Sequence, residues 1–148
     1  MYLSRLLYYS VNAVQSQEGS LQQELKSILL ASQRNNPPLG VSGALIFNYS
    51  YFAQVLEGDR KAITNIFCKV SKDPRHKDIV LLEVEPISER LFSNWNMSFV
   101  GGAVTENELR RYGTSAQFHP EKMTAQSLLL FVREVIDASN SNSRAKAS

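Results

Sequence analysis

Short apolar runs of strand-forming residues recur through the first two thirds of the chain. They are rich in β-branched and aromatic residues and are bounded by polar or turn-forming residues, a pattern typical of strands. The pattern predicts five β-strands, at Leu3–Ser10, Val41–Phe47, Tyr51–Glu57, Ile79–Ile87 and Trp95–Val100.

Two segments between these runs carry apolar residues at helical spacing instead. The first includes Leu21, Leu25 and Ile28 and ends at Asn35-Asn36-Pro37-Pro38, because proline disfavours helix in the residue before it. The second has an apolar stripe from Ile63 to Val70. The resulting order βαββαββ predicts an α+β, ferredoxin-like fold with a five-stranded sheet and two helices on one face.

The C-terminal third predicts further helices on or beside the other sheet face. One begins near the capping-box sequence at Thr105, and a second runs from Thr124 to about Ser139. The second carries a broad apolar stripe: Leu128, Leu129, Phe131, Val132, Val135 and Ile136. Such a stripe must cover the sheet or a partner chain. Because it offers more apolar surface than one sheet face needs, a homo-oligomer is expected. These features divide the chain into a sheet-containing domain at 1–102, a helical extension at 103–139 and a disordered tail at 140–148.

Composition narrows the functional classes. The chain has 148 residues, a net charge of +2, one cysteine and two histidines. Neither nucleic-acid nor membrane binding is favoured by that charge, and the cysteine count fits a reducing cytoplasm. No zinc-like cluster is available, and Cys68 is interpreted as a bystander thiol. No signal-peptide layout or membrane-spanning apolar run is present.

Gln54 is a polar residue within an otherwise apolar predicted strand, which the hydrophobic pattern does not explain. Alternation places it on the same face as Phe52 and Leu56, and a buried amide without partners costs about 1–3 kcal/mol. Four other residues with hydrogen-bonding or polarisable groups fall on nearby elements: Tyr8, Asn36, Trp95 and Met97. Each alone fits a core or capping role, but together they predict a cleft for a flat heteroaromatic ligand between the two helices.

Five segments in register resemble the BLUF family, sensors of blue light using flavin. They are Arg5–Ser10, Asn36 with Gly40–Leu45, Phe52–Gly58, Asp73–His76 and Arg90–Met97. The resemblance runs from about Leu3 to Val100 and implies the same βαββαββ fold. It also implies a non-covalently bound flavin, with FAD favoured and FMN or riboflavin as alternatives.

Several residues match family positions around the flavin. The resemblance implies that Ile28 and Val70 pack on the ring, that Asn36 binds its edge, and that Ser32 and Asn35 line the same helix end. Lys69, Asp73 and His76 match positions near the ribityl chain and phosphate. For Asp73–His76, a helix stop followed by a salt-bridged turn is an equally open interpretation.

The resemblance further implies a photoactive role for four residues. Tyr8 would give an electron and a proton, Gln54 would rotate or tautomerise, and Trp95 and Met97 would relay the change. This predicts a switch without substrate turnover, acting on a separate regulator protein or on oligomeric state.

Two other interpretations remain open. An acylphosphatase-type hydrolase could use the same fold, although the loop after the first strand contains no arginine or glycine at Asn12–Gln17. A light-insensitive flavin-binding scaffold is the third interpretation, and the presence of both Tyr8 and Gln54 argues against it.

Overall fold

The predicted strands and the two N-terminal helices are all present in the computed structural model, which describes residues 2–14, 18–100 and 118–147. The elements are β1 (Leu3–Asn12), α1 (Glu18–Asn35), β2 (Ser42–Phe47), β3 (Tyr51–Asp59), α2 (Arg60–Val70), β4 (His76–Pro86), β5 (Trp95–Phe99) and α3 (Ala125–Ala147). Short 3-10 turns lie at Pro37–Leu39 and Pro120–Lys122. Most predicted boundaries hold within about three residues.

Within these residues the strands form one mixed sheet in the order β4-β1-β3-β2-β5. Strand β1 pairs antiparallel with both β3 and β4, β2 pairs antiparallel with β3, and β2 pairs parallel with β5. The β2–β3 hairpin is closed by Asn48, whose Oδ1 accepts hydrogen bonds from the backbone N–H groups of Ser50 and Tyr51 at 2.8 and 2.7 Å. This arrangement confirms the predicted ferredoxin-like fold.

Alternation along the strands divides the core into two layers. On the α1–α2 side, Leu6, Tyr8, Leu45, Phe52 and Leu56 pack with Leu25 and Ile63. On the opposite side, Leu7, Ala44, Ile46, Ala53 and Val55 pack with α3. Because successive strand residues point to opposite faces, each central strand contributes to both layers.

The apolar stripe of helix α3 packs against the second face of the sheet. It lies in the chain's own core, with Leu128, Phe131 and Val132 fully buried. The placement over the second sheet face is therefore confirmed. Among the described side chains of α3, Leu130 is the one large hydrophobic that is exposed, and the homo-oligomer stays a prediction.

The chain beyond Ser139 differs from the prediction. Helix α3 continues to Ala147, where a disordered tail was predicted from 140 onward. A helix already nucleated by packed residues adds further turns at low cost, and Ala, Arg and Lys favour helix. The capping box at Thr105 and most of the predicted helical extension, 103–117, lie outside the described residues. None of the helices in the described ranges combines the length and apolar composition needed to cross a lipid bilayer.

Candidate cofactor-binding site

A cavity of about 470 Å³ lies between α1 and α2, over the sheet. This volume is within the range of small-molecule and cofactor sites. All nine residues predicted to bind the cofactor line it: Ile28, Ser32, Asn35, Asn36, Gln54, Lys69, Val70, Asp73 and His76. Tyr8 lines it as well, together with six residues that the sequence analysis did not select: Ala31, Leu39, Leu45, Phe52, Ile66 and Arg75.

Tyr8 and Gln54 meet at the sheet side of this cavity. They are direct cross-strand partners in the β1–β3 ladder, and both are buried, with 2% and 5% of their surface exposed. The Tyr8 hydroxyl donates a hydrogen bond to Gln54 Oε1. Burial, and secondarily the negative charge of Asp73, holds the pKa of Tyr8 well above its usual range. Tyr8 therefore remains a protonated hydrogen-bond donor.

Asn36 is held in place by hydrogen bonds of its backbone, and its side chain lines the cavity. Its N–H donates to Ser32 O at 3.0 Å, and its carbonyl accepts from Leu39 and Val41 at 3.0 and 3.1 Å. The side chain makes no capping hydrogen bond to the following turn, yet it is 7% exposed and lines the cavity. Gly40 makes this tight return possible, because its φ of 68° lies in the left-handed region.

The charged end of the cavity is a salt-bridged turn. Arg75 Nε donates to Asp73 Oδ1 at 2.9 Å, and Arg75 also pairs with Glu24 at 3.3 Å. Hydrogen bonding from Arg75 lowers the pKa of Asp73. The alternative interpretation of Asp73–His76 as a salt-bridged turn is thus correct as structure, and the same residues line the cavity.

His76 is held in one orientation. Its Nε2 lies 2.6 Å from the Val70 carbonyl oxygen, which only accepts, so Nε2 carries a proton. Its Nδ1 lies 2.8 Å from the hydroxyl of buried Ser10. The ring is also close to Tyr8, with 6.1 Å between the ring centroids. His76 therefore ties the end of α2 to β1 beside Tyr8.

Trp95 and Met97 lie in the cavity-side layer but do not line the cavity. They sit opposite Gly43 and Leu45 in the β2–β5 ladder. Trp95 is buried, and its Nε1 finds no hydrogen-bond partner among the described residues. A Cβ on Gly43 would lie 2.0 Å from the Val55 carbonyl oxygen and 3.2 Å from the Trp95 ring, so only glycine fits here.

The sequence analysis missed a buried charge on β3. Glu57 has no exposed surface and accepts hydrogen bonds from Arg5 and from the backbone of Leu91 and Phe92. A carboxylate within an apolar strand is the same kind of signal as Gln54, and it was available in the sequence. Arg5 also reaches Glu85 at 3.5 Å.

Metal ligation has no support in the described part of the chain, where His, Cys, Asp and Glu form no group able to hold an ion. Cys68 is exposed on α2 and does not line the cavity.

The described residues form an α+β fold with a cavity of cofactor size between two helices. The profile of the family described as "BLUF: Sensors of blue-light using FAD" matches residues 3–98. The chain belongs to the BLUF family, which uses a flavin to sense blue light.

Curated relatives match the same region. The photoactivated adenylate cyclase subunit beta of Euglena longa is 34% identical over 76 residues, 51% of this chain and 9% of the relative. The subunit alpha of Euglena gracilis is 32% identical over 95 residues, 64% of this chain and 9% of the relative. The similarity therefore spans about a tenth of the length of these curated relatives.

Solved structures match over most of the chain. BlsA in its photo-activated state is 30% identical with a TM-score of 0.77, covering 90% of this chain and 94% of BlsA. The BLUF protein BlrB in its dark state is 29% identical with a TM-score of 0.69, covering 93% and 97% of the two chains. Klebsiella pneumoniae BlrP1 with FMN and cyclic diGMP is 32% identical with a TM-score of 0.58, and the match covers 66% of this chain and 25% of BlrP1.

The residues of the cavity fit a flavin. Ile28 and Val70 supply apolar side chains from the two helices, which suits a flat ring system. The buried amides of Asn36 and Gln54 supply donors and acceptors for ring-edge groups. Lys69 and Arg75 also line the cavity, and Arg75 is paired there with Asp73.

Proposed function

We propose that this chain is a blue-light photoreceptor in which the Tyr8–Gln54 hydrogen bond is the switch. The observation that carries the proposal is the buried hydrogen bond from Tyr8 to Gln54 Oε1 at the wall of the cofactor cavity. Bound flavin supplies the absorption of blue light and an excited state that accepts an electron. Every other step belongs to side chains of this protein.

Tyr8 is the electron and proton donor. Its phenol ring gives up the electron, and its hydroxyl proton passes along the existing hydrogen bond to Gln54 Oε1. Because burial keeps Tyr8 protonated, the proton is present in the dark state. When the electron and proton return to Tyr8, no net chemistry has occurred, so the protein turns over no substrate.

Gln54 stores the signal. An amide has a donor end and an acceptor end of nearly equal size, so it can rotate or tautomerise with little steric change. With Oε1 engaged by Tyr8 in the dark, the altered amide presents different hydrogen-bonding groups to Tyr8 and to the cavity. The buried position, 5% exposed, keeps bulk water from competing for these groups.

The remaining lining residues bind and orient the cofactor. Ile28 and Val70 pack against the ring, Asn36 binds its edge, and Ser32 and Asn35 complete that end of α1. Lys69, Asp73 and His76 lie toward the ribityl chain and phosphate. The placement of all these residues around one cavity supports these roles.

Trp95 and Met97 are the proposed relay. Both pack in the cavity-side layer on β5, the edge strand next to β2, and β5 also contacts α3. The signal then reaches a separate regulator protein, or a changed assembly of this chain. The named activity of the Euglena relatives makes a second-messenger enzyme the partner class that we favour.

The absorption spectrum of the purified protein tests the proposal. It is recorded in the dark, after blue light and during recovery in the dark. A flavin spectrum that shifts slightly to the red and then reverts is the expected result. Bound flavin without a reversible shift would indicate a light-insensitive scaffold, and a colourless protein that cannot be reconstituted with flavin would contradict the proposal altogether.

A further inference from the structure

Glu57 occupies the most buried charged position described on the sheet. Its side chain has no exposed surface, and its carboxylate accepts from Arg5 Nε at 2.8 Å. It also accepts from the backbone N–H of Leu91 at 3.1 Å and of Phe92 at 2.8 Å. A buried carboxylate is stable only when such partners satisfy it, and charge-assisted hydrogen bonds are the strong ones. Residues 91 and 92 are therefore fixed to β3.

Arg90 fixes the same segment from the other side. Its guanidinium donates to Ser42 Oγ at 2.7 Å, to the Glu57 carbonyl at 3.0 Å and to the Gly40 carbonyl at 2.8 Å. We call residues 90–92 with these contacts the 90–92 clamp. It joins β1, β2, β3 and the turn after α1 to a single short segment.

The clamp lies directly before β5. Two residues after Phe92, the Asn94 carbonyl accepts from Gly43 N–H at 3.1 Å, and β5 begins at Trp95. The Phe92 side chain is 4% exposed and packs in the core layer that includes α3. A displacement of the 90–92 clamp would therefore shift both the start of β5 and the core layer that includes α3.

From these contacts we infer that Glu57 is a positioning residue that couples the strand bearing Gln54 to β5. Gln54 and Glu57 lie three residues apart on β3 and, by alternation, point to opposite faces. A light-induced change at Gln54 shifts β3, and the Glu57 carboxylate carries that shift to Leu91 and Phe92. This inference rests on the proposed function, and it adds a second connection to the one through Trp95 and Met97.

Hydrogen–deuterium exchange at residues 95–99, in the dark and under blue light, tests the coupling. Absorption spectra of the same samples report on the Tyr8–Gln54 pair. In Glu57→Gln, shape is kept while the charge that holds Arg5 and the backbone N–H groups is lost. The expected result is bound flavin and a red shift of wild-type size, with loss of the light-dependent change in exchange at 95–99.

Glu85→Gln is the matched control. Glu85 shares Arg5 as its partner at 3.5 Å, but its side chain is 40% exposed and the hydrogen bonds described for it do not include residues 90–92. This variant should keep both the red shift and the light-dependent exchange. Loss of the exchange change in Glu85→Gln would show that Arg5 pairing alone matters, and would overturn the role given to Glu57.

Other outcomes separate this inference from the proposed function. A wild-type protein without a reversible red shift refutes the proposed function. A normal red shift with an unchanged exchange response in Glu57→Gln refutes the role of the 90–92 clamp but leaves the proposed function intact. The same holds if light does not change the exchange at residues 95–99 in the wild-type protein. If Glu57→Gln does not fold, Arg90→Lys removes the other side of the clamp, and it must weaken the exchange response while keeping the red shift.

Discussion

The Tyr8 hydroxyl donates its hydrogen bond to Gln54 across two adjacent strands, although the two residues are 46 positions apart in the chain. Their contact depends on the register of the β1–β3 ladder, in which Tyr8 and Gln54 are direct partners. A slip of one residue would turn one of the two side chains to the opposite face. Sheet pairing therefore sets the geometry of the Tyr8–Gln54 pair.

Replacing Gln54 with Leu should abolish the light-induced red shift while flavin stays bound. Leucine has a similar volume, so the cavity keeps its shape, but it can neither accept from Tyr8 nor reorient hydrogen-bonding groups. Absorption difference spectra give the measurement. Gln23→Leu, at an exposed position on α1, is the control and should shift normally. A normal shift in Gln54→Leu would exclude Gln54 as the switch.

Tyr8→Phe should also remove the stable photoproduct, because phenylalanine lacks the transferable proton and is harder to oxidise. The substitution leaves the buried Gln54 oxygen without its donor, which costs about 1–3 kcal/mol in the free energy of unfolding. Urea unfolding and difference spectra measure the two effects. Tyr9→Phe, one residue along on the opposite face, should show neither, and a full-size photoproduct in Tyr8→Phe would argue against the mechanism.

The light response should be independent of pH up to about pH 10, the usual pKa of tyrosine. Burial, followed by the charge of Asp73, raises the pKa of Tyr8, so the folded protein keeps the hydroxyl proton. In the unfolded chain Tyr8 ionises near its usual pKa, so the unfolded state binds fewer protons above that pH. Stability should therefore fall as pH rises beyond about 10.

Difference spectra and urea unfolding at a series of pH values check both parts of this prediction. The alkaline loss of stability should be smaller in Tyr8→Phe, which has no phenol to ionise at that position. A red shift that titrates away near neutral pH would contradict the protonated state assigned to Tyr8.

Phe131→Ala should destabilise the protein by about 3–5 kcal/mol, since the ring is fully buried where α3 covers the sheet. Leu130→Ala, at the neighbouring position with 36% of its surface exposed, should change stability by about 0.5 kcal/mol or less. Thermal or urea unfolding compares the two. Equal effects would place α3 elsewhere than over this sheet face.

Alternation and helical spacing were sufficient to predict the sheet and its two N-terminal helices, but they left open whether the stripe of α3 covers the second sheet face or a partner chain. Gln54 could be singled out because an amide in an apolar strand needs a partner, and the structure supplies that partner as Tyr8. Helical spacing placed Ile28 and Val70 on apolar helix faces, but their predicted contacts with a cofactor, and that of His76, follow only from the resemblance to a family. Their placement around one cavity depends on how two helices pack over the sheet.

The partners of Glu57 could not be predicted from a single sequence. Its position within an apolar strand was visible, but its partners are backbone N–H groups of Leu91 and Phe92, which have no side-chain signature. Trp95 and Met97 show the converse limit. The sequence groups them with Tyr8 and Asn36 around one cleft, yet they pack in the cavity-side layer without lining the cavity.

The hydrogen bond between Tyr8 and Gln54 also bears on the kinetics of resetting. Both partners belong to one polypeptide and are held on paired strands, so restoring the dark arrangement requires no encounter between molecules. In the proposed photocycle, dark recovery of the Tyr8–Gln54 pair is expected to be a first-order process with a rate constant that dilution does not alter. The proposed lit state would then have a duration set by the packing of the folded chain and independent of the protein's concentration.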